Sequence, residues 1–372
     1  MRLQILNFSP PHSDPPILPP GMENGPRSIL AVKVLRISVT DRCNYRCLYC
    51  MPAEGVRWLP AGDILSYEEI VEIARAAIEV HGITRFKLTG GEPTVRANLV
   101  ELVRQLARLK GIEDLSMTTN GQRLADLAQP LRESGLMRLT VSIDSLDPGK
   151  FRRITRTGDL SAVLRGLDRA EEVGFDSLKV NCVTMRGVND GEFADFARLT
   201  LERCLTVRFI EYMPLGEAAL MEEHGPAVGC GGQNRGTDSL VPETEVREVI
   251  ERELGSLVPV RRELEAGVGP ANVYRLQLGR PRGRIGFISS MSAPFCATCN
   301  RLRLTADGLL RSCLFEGGEV DVKPILRQAP IEEQTEAAAR SQALGRAMVD
   351  CVRLKPALHS GHGNQQMSRI GG

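Results

Sequence analysis

The sequence predicts an α/β protein made of parallel βα units, and three observations carry the prediction. Between Leu35 and Met213 there are six short apolar runs, each leads through a turn into an amphipathic helical segment, and the chain of 372 residues with 42% hydrophobic content can bury a large core. Strands alternating with helices at this spacing pair in parallel. An open doubly wound sheet and a partly closed barrel fit the pattern equally, and periodicity does not choose between them.

The elements follow in order. Residues 1–30 form an arm whose stretch "SPPHSDPPILPPGMENGP" is too rich in proline for helix or central strand and predicts an extended segment. A core unit spans 31–213, with the runs "LRISV", "RFKLT", "LSMTT", "RLTVSI", "LKVNCV" and "VRFIEY" as strands. Its first helix is well marked, since Ser66 and Glu69 have capping-box spacing and Gly82 supplies the stop. Residues 214–241 are Gly-rich and read as a long linker that includes Cys230. In 242–353, "PETEVREVIEREL" predicts a helix, "VYRLQL" and "RIGFIS" predict strands, and "RLRLTADGLLRSCLF" predicts a hairpin turning at Asp307-Gly308. A helix over 331–353 and a polar tail, 354–372, ending in "SRIGG" complete the chain.

Charge and hydropathy narrow the function. With 47 basic and 46 acidic residues there is no global field to attract nucleic acid or an anionic membrane, so any anion site must be local. No run of 18 apolar residues is present and the N-terminus lacks signal-peptide features, which together predict a cytoplasmic protein with reduced thiols. Cysteines packed closely in that setting hold metal more often than they form disulfides.

Two cysteine sets stand out. Cys43, Cys47 and Cys50 have the spacing C-x3-C-x2-C, which lets three thiolates share one iron-sulfur cubane and leaves one iron without a protein ligand. Zinc would need a fourth ligand, and the ferredoxin run CxxCxxCxxxCP is absent. Cys296, Cys299 and Cys313 are again three; a CxxC redox pair belongs at a helix start, whereas "RLRLT" after Cys299 reads as strand. Cations also interrupt strands that should be apolar: Arg36, Lys87, Lys179 and Arg208 each break a different run. If those strands surround a common interior, the four can face one anion, and Arg301 and Arg303, two apart on a strand, add two guanidiniums suited to phosphate.

The cysteine loop after the first strand, with Tyr49 before its last cysteine, and "TGGEP" after the second strand resemble the radical S-adenosylmethionine (SAM) superfamily. Taken with "TTNG", "SID", "RFIEYMP", "FCATCNRLRLTADG" and the terminal "GG", the series resembles the GTP 3′,8-cyclase family from about Leu35 to Cys313. That resemblance implies a partial (β/α)6 TIM-type barrel with a smaller C-terminal α+β unit carrying a second Fe-S cluster. It implies that Cys43, Cys47 and Cys50 hold the SAM-cleaving 4Fe-4S cluster and that Cys296, Cys299 and Cys313 hold another. Tyr49, Gly91, Ser142 and Met213 would line the SAM pocket; Arg36, Lys87, Thr118, Lys179, Arg301, Leu302 and Arg303 would hold GTP. Lys87 stands where many relatives have Arg. The implied reaction is the radical cyclisation of GTP that opens molybdenum cofactor synthesis, and Gly371 and Gly372 would reach the site. An external one-electron reductant and a cyclic pyranopterin monophosphate synthase receiving the product are the implied partners, with no nucleic acid or membrane, in a monomer or homodimer. The alternatives are a radical SAM peptide maturase and a non-catalytic Fe-S or zinc protein.

Overall fold

The computed structural model describes residues 25–215, 239–261, 268–327, 334–361, 363 and 367–371. Most of the proline-rich arm, most of the Gly-rich linker with Cys230, and Gly372 lie outside the described residues.

All six sequence runs are strands: β1 (Val34–Ser38), β2 (Arg85–Thr89), β3 (Asp114–Thr119), β4 (Arg138–Ser142), β5 (Ser177–Thr184) and β6 (Thr206–Glu211). Helices α1 (Tyr67–His81), α2 (Leu99–Ala107), α3 (Leu124–Glu133), α4 (Pro148–Thr155), α5 (Leu160–Val173) and α6 (Phe193–Glu202) alternate with them. The later part adds β7 (Leu257–Pro259), β8 (Asn272–Leu276), β9 (Arg284–Ile288), β10 (Arg301–Leu304), β11 (Leu309–Arg311) and β12 (Glu319–Asp321). The fold class is thus α/β with parallel strands, as expected.

Local chemistry sets the boundaries. The Ser66 hydroxyl accepts the Glu69 N–H at 3.2 Å while the Glu69 carboxylate accepts the Ser66 N–H at 2.7 Å, so two otherwise unpaired donors at the start of α1 are satisfied. Gly82, at φ +64°, ends the helix. Asp147 and Asp159 cap α4 and α5, and Pro148 occupies the first turn of α4, where its missing N–H does no harm.

The chain divides into two compact units that do not follow sequence order. The first comprises 1–43, 57–116 and 296–372, and the second 44–56 and 117–295. In the first, the strand order is β12-β11-β10-β1-β2. Strand β10 lies parallel to β1 with Arg36 opposite Arg303, and β11 returns antiparallel through the turn at Asp307-Gly308. Helix α1 packs on the helix Gln334–Arg353, where the His81 ring nitrogen Nε2 meets the Gly345 carbonyl at 2.8 Å. In the second unit the order is β4-β5-β6-β9-β8-β7, with β9 parallel to β6 and the last two strands antiparallel. Strand β5 alternates regularly, burying Leu178, Val180 and Cys182 and turning Lys179, Asn181 and Val183 to the opposite face.

Among the described residues no helix is long and apolar enough to cross a membrane.

Candidate active site

In the first unit the loop after β1 is clamped by the Gly-Gly turn after β2. The Gly91 N–H donates to the Thr40 carbonyl at 2.7 Å and the Glu92 N–H to the Arg42 carbonyl at 2.8 Å. A Cβ on Gly91 would fall 2.4 Å from the Arg42 oxygen and 2.5 Å from that of Asp41; one on Gly90 would fall 2.6 Å from that of Thr40. Glycine is therefore demanded by main-chain packing against the cysteine loop, a requirement that no local sequence pattern carries. The buried Asp41 carboxylate accepts the Leu59 N–H at 2.6 Å, and Arg96 donates to the Val39 and Leu65 carbonyls while its guanidinium covers the Tyr67 ring. The chain leading into Cys43 is thus held at Val39, Thr40, Asp41 and Arg42.

The same unit carries a row of cations. Register places Lys87 beside Arg36, Arg36 beside Arg303, and Arg303 beside Arg311, so four positive side chains stand abreast on four neighbouring strands, at the strand spacing of about 5 Å. Arg311 is fully buried and answered by Glu319. Arg303 is also buried, yet its Nη1 donates to a neutral acceptor, the Gly371 carbonyl, at 2.6 Å, and no described carboxylate pairs with it. Burial, with Arg301 beside it, pulls the Arg303 guanidinium down to about 9. Because a guanidinium stays protonated in proteins, that shift measures how unfavourable a charge is there without an anion. Arg301 shares the face of Arg303, whereas the Leu302 side chain is buried on the other face.

In the second unit the other half of the cysteine loop is seated on α4. Arg46 and Leu48 N–H groups donate to the Thr155 and Ile154 carbonyls, both at 3.0 Å, and Arg156, at φ +61°, reaches back to the Arg46 and Met51 carbonyls. The Cys50 N–H donates to the Cys47 carbonyl at 2.9 Å, closing the turn between them. The Tyr49 ring packs against Ile154, Met185 and Tyr212, and its hydroxyl donates to Asp144 Oδ2 at 2.6 Å. Asp144 Oδ1 accepts the Val183 N–H at 2.8 Å, and its main-chain carbonyl accepts Asn189 Nδ2 at 2.7 Å. Burial raises the Asp144 carboxyl to about 6 against the opposing pull of the Tyr49 and Val183 hydrogen bonds. Asn120 and Gln122, from the turn that follows Thr118, hold Asn44 and Tyr45 at 2.8 and 2.7 Å.

Of the remaining expected residues, Ser142 ends β4 opposite Asn181, and Met213 follows β6, where Glu211 accepts the Met291 and Ser292 N–H groups. Lys179 lies opposite Thr140 and Thr206, and Arg208 opposite Asn181, to which it donates at 2.9 Å. Within this unit both cations occupy the face turned away from the helix-packed core.

The chemistry of the thiols fits metal ligation. Cys47 is pushed well above its ordinary value first by its hydrogen bond with Cys50, then by burial and the negative charge of Cys50 and Asp144. Two crowded thiols beside a carboxylate become thiolates comfortably only when a cation joins them. At the second set the Cys299 N–H donates to the Cys296 carbonyl at 3.1 Å. Burial raises the Cys299 thiol, but Arg301 and Lys355 outweigh it and hold the group below its ordinary value. Among the described residues no three His, Cys, Asp or Glu side chains are grouped so as to hold a metal ion. Cys182 and Cys351 are buried in the core and Cys204 is exposed, in keeping with structural roles.

Three residues went unmarked in the sequence. Arg311 donates Nε to the Cys313 carbonyl at 3.0 Å and Nη2 to that of Phe315 at 3.1 Å. Lys355 reaches the Cys299 carbonyl, and Asn189 braces Asp144. The only available signal was a cation inside the apolar run "LLRSCLF".

The chain resembles known proteins over most of its length. Residues 37–200 match the Radical SAM superfamily and residues 205–360 match Molybdenum Cofactor Synthesis C. The chain is 44% identical over 345 residues to the GTP 3′,8-cyclase of Pelotomaculum thermopropionicum, covering 92% of this chain and 98% of that one. It is 42% identical over 344 residues to the namesake from Thermodesulfovibrio yellowstonii, with the same coverage. Among solved structures it resembles Streptococcus suis SuiB bound to precursor peptide SuiA, with a TM-score of 0.54 and 15% identity over 89% of this chain and 66% of that one. SuiB bound to S-adenosylmethionine gives a TM-score of 0.51 at 13% identity, covering 82% of this chain and 63% of that one. The chain spans under two thirds of the length of that chain, and at such identity the likeness is one of fold.

Proposed function

Because the chain belongs to the GTP 3′,8-cyclase family of radical SAM enzymes, we propose that it converts GTP to (8S)-3′,8-cyclo-7,8-dihydroguanosine 5′-triphosphate. That is a lyase reaction at the entry to molybdenum cofactor synthesis. The observation that carries the reading is the file of Lys87, Arg36 and Arg303 on adjacent strands, with Arg303 buried against a neutral carbonyl. Such a file is stabilised by a polyanion, and Arg303 with Arg301 presents the forked donors that phosphate oxygens take up.

Cys43, Cys47 and Cys50 would hold a 4Fe-4S cluster, with Tyr49, Gly91, Ser142 and Met213 lining the place of SAM. Cys296, Cys299 and Cys313 would hold a second 4Fe-4S cluster. Arg36, Lys87, Thr118, Lys179, Arg301 and Arg303 would bind GTP, with Leu302 contributing through its main chain. When bound, the first cluster and SAM would supply the 5′-deoxyadenosyl radical that takes the ribose 3′ hydrogen and lets C3′ close on C8, a closure that would be completed by one further electron from the external reductant and a proton at N7. The protein's part is to hold and orient. The Gly91 turn fixes the Cys43 side of the loop, Asp144 anchors Tyr49, and the cations fix the triphosphate so that the ribose cannot rotate away. An external one-electron reductant and a cyclic pyranopterin monophosphate synthase downstream complete the reading.

The test is product analysis with anaerobically reconstituted protein, SAM, GTP and dithionite. Cyclised nucleotide and 5′-deoxyadenosine together are expected from the wild type. Cys313→Ala should still form 5′-deoxyadenosine but no cyclised nucleotide. A peptide maturase would not bind GTP in the absence of peptide, and failure to bind GTP would replace the reading.

A further inference from the structure

Lys355 follows the helix Gln334–Arg353 and is 3% exposed. Its Nζ donates to the Cys299 carbonyl at 3.2 Å and to the Arg301 carbonyl at 3.0 Å, while its own carbonyl accepts Arg27 Nε at 2.8 Å. The ammonium is therefore held at a defined place beside the second cysteine set, at the root of β10.

No described carboxylate forms an ion pair with it. A buried ammonium without a counter-charge is strongly destabilising, so an anion has to be near. The groups of opposite sign that act on it are the thiols of Cys299, Cys313 and Cys351, and Arg301 opposes them. The Cys351 thiol is buried and donates its hydrogen to the Gly318 carbonyl at 3.8 Å, so it is already spent on a neutral acceptor. That leaves Cys299 and Cys313. The carbonyl of Cys313 is held in turn by the buried Arg311, whose charge is already met by Glu319. Two of the three cysteines thus have their main chains gripped by buried cations, and one of those cations has no carboxylate of its own.

We propose that Lys355 is a positioning residue of the second cysteine set: its ammonium is the buried counter-charge of the Cys299 and Cys313 thiolates, holds the Cys299 main chain, and raises the reduction potential of the cluster those thiolates carry. The proposal rests on the reading that this set holds a 4Fe-4S cluster. A positive charge beside an anionic cluster stabilises the reduced state, which carries one more negative charge, so removing it shifts the midpoint downward.

The experiment uses the full chain with Cys43, Cys47 and Cys50 changed to Ala, so that only the second cluster can form, and measures iron per chain and the midpoint potential by spectroscopically monitored titration. The parent should hold about four irons. Lys355→Gln keeps an N–H donor for the two carbonyls but loses the charge, and should show a lower midpoint; Lys355→Arg should stay at that of the parent. Lys355→Met should also lose iron, since both hydrogen bonds go. An unchanged midpoint in Lys355→Gln, or an equal shift in Lys355→Arg, overturns the proposal. A parent without iron overturns the cluster reading itself, and does so before Lys355 is touched. If Lys355→Met does not fold, the Gln and Arg pair still decides.

Discussion

Tyr49 has an apolar ring packed on Ile154, Met185 and Tyr212 and a hydroxyl spent on Asp144, so a single side chain ties the cysteine loop to the end of β4. The partner carboxyl is the more informative residue, because its proton affinity differs between states. Raised to about 6 from an unfolded value near 4, Asp144 binds its proton more tightly in the folded chain. Its contribution to stability is complete below the unfolded value and is lost as pH rises through about 6. Two pKa units correspond to about 3 kcal/mol. In metal-free protein, Asp144→Asn should therefore gain stability relative to wild type as pH is raised from about 4 to 7, measured by denaturant unfolding at each pH. A constant difference across that range would show that the carboxyl is not held in a dry site. Gly91 gives a second prediction. A methyl group there must displace the Arg42 and Asp41 carbonyls, so Gly91→Ala should lower stability by about 1–3 kcal/mol in protein lacking both iron and SAM. Full stability would leave the glycine needed only for a ligand. The motif "TGGEP" was visible in the sequence, but the carbonyls that demand its glycines come from a loop some fifty residues earlier, which local pattern cannot reveal.

At the level of elements, the strands and helices were legible wherever local chemistry defines them. The capping box of α1, the six apolar runs and the hairpin at Asp307-Gly308 are short-range signals, and each formed as expected. What could not be read was adjacency. Strand β10 pairs with β1 across more than 260 residues, and β9 with β6, because sheet edges select partners by shape and burial and not by any periodic code. The burial of Arg311 is a product of that pairing, so its ion pair with Glu319 was equally invisible. Removing Arg311 leaves the half-buried Glu319 carboxylate without its partner: Arg311→Met should destabilise by about 2–4 kcal/mol, whereas Arg311→Met combined with Glu319→Leu should recover much of the loss. Chemical unfolding of the two variants and the single Glu319→Leu chain closes the cycle. Simple additivity would mean that the pair does not act as a unit. Because Arg311 also holds the Cys313 carbonyl, the rescued double variant should still lose iron from the second cysteine set.

Across the whole molecule, 47 basic residues nearly cancel 46 acidic ones, so a triphosphate feels little attraction until it reaches the cations themselves. Both compact units are assembled from discontinuous segments, and the first gathers Lys87, Arg36 and Arg303 from parts of the chain far apart in sequence. Recognition should therefore be short-range and dependent on individual side chains, with no broad basic surface behind them. Arg36 is the middle member of the three, with Lys87 on one side and Arg303 on the other. Arg36→Met should weaken GTP binding by about tenfold or more, the worth of one charge-assisted hydrogen bond, while leaving guanosine binding nearly unchanged. Isothermal titration of GTP and guanosine at low and high salt separates the terms, since the triphosphate contribution falls as salt rises and the base contribution does not. If Arg36→Met weakened both ligands equally, the file of cations would be a scaffold for the strands and not the seat of the phosphates, and the triphosphate would have to be bound by other groups.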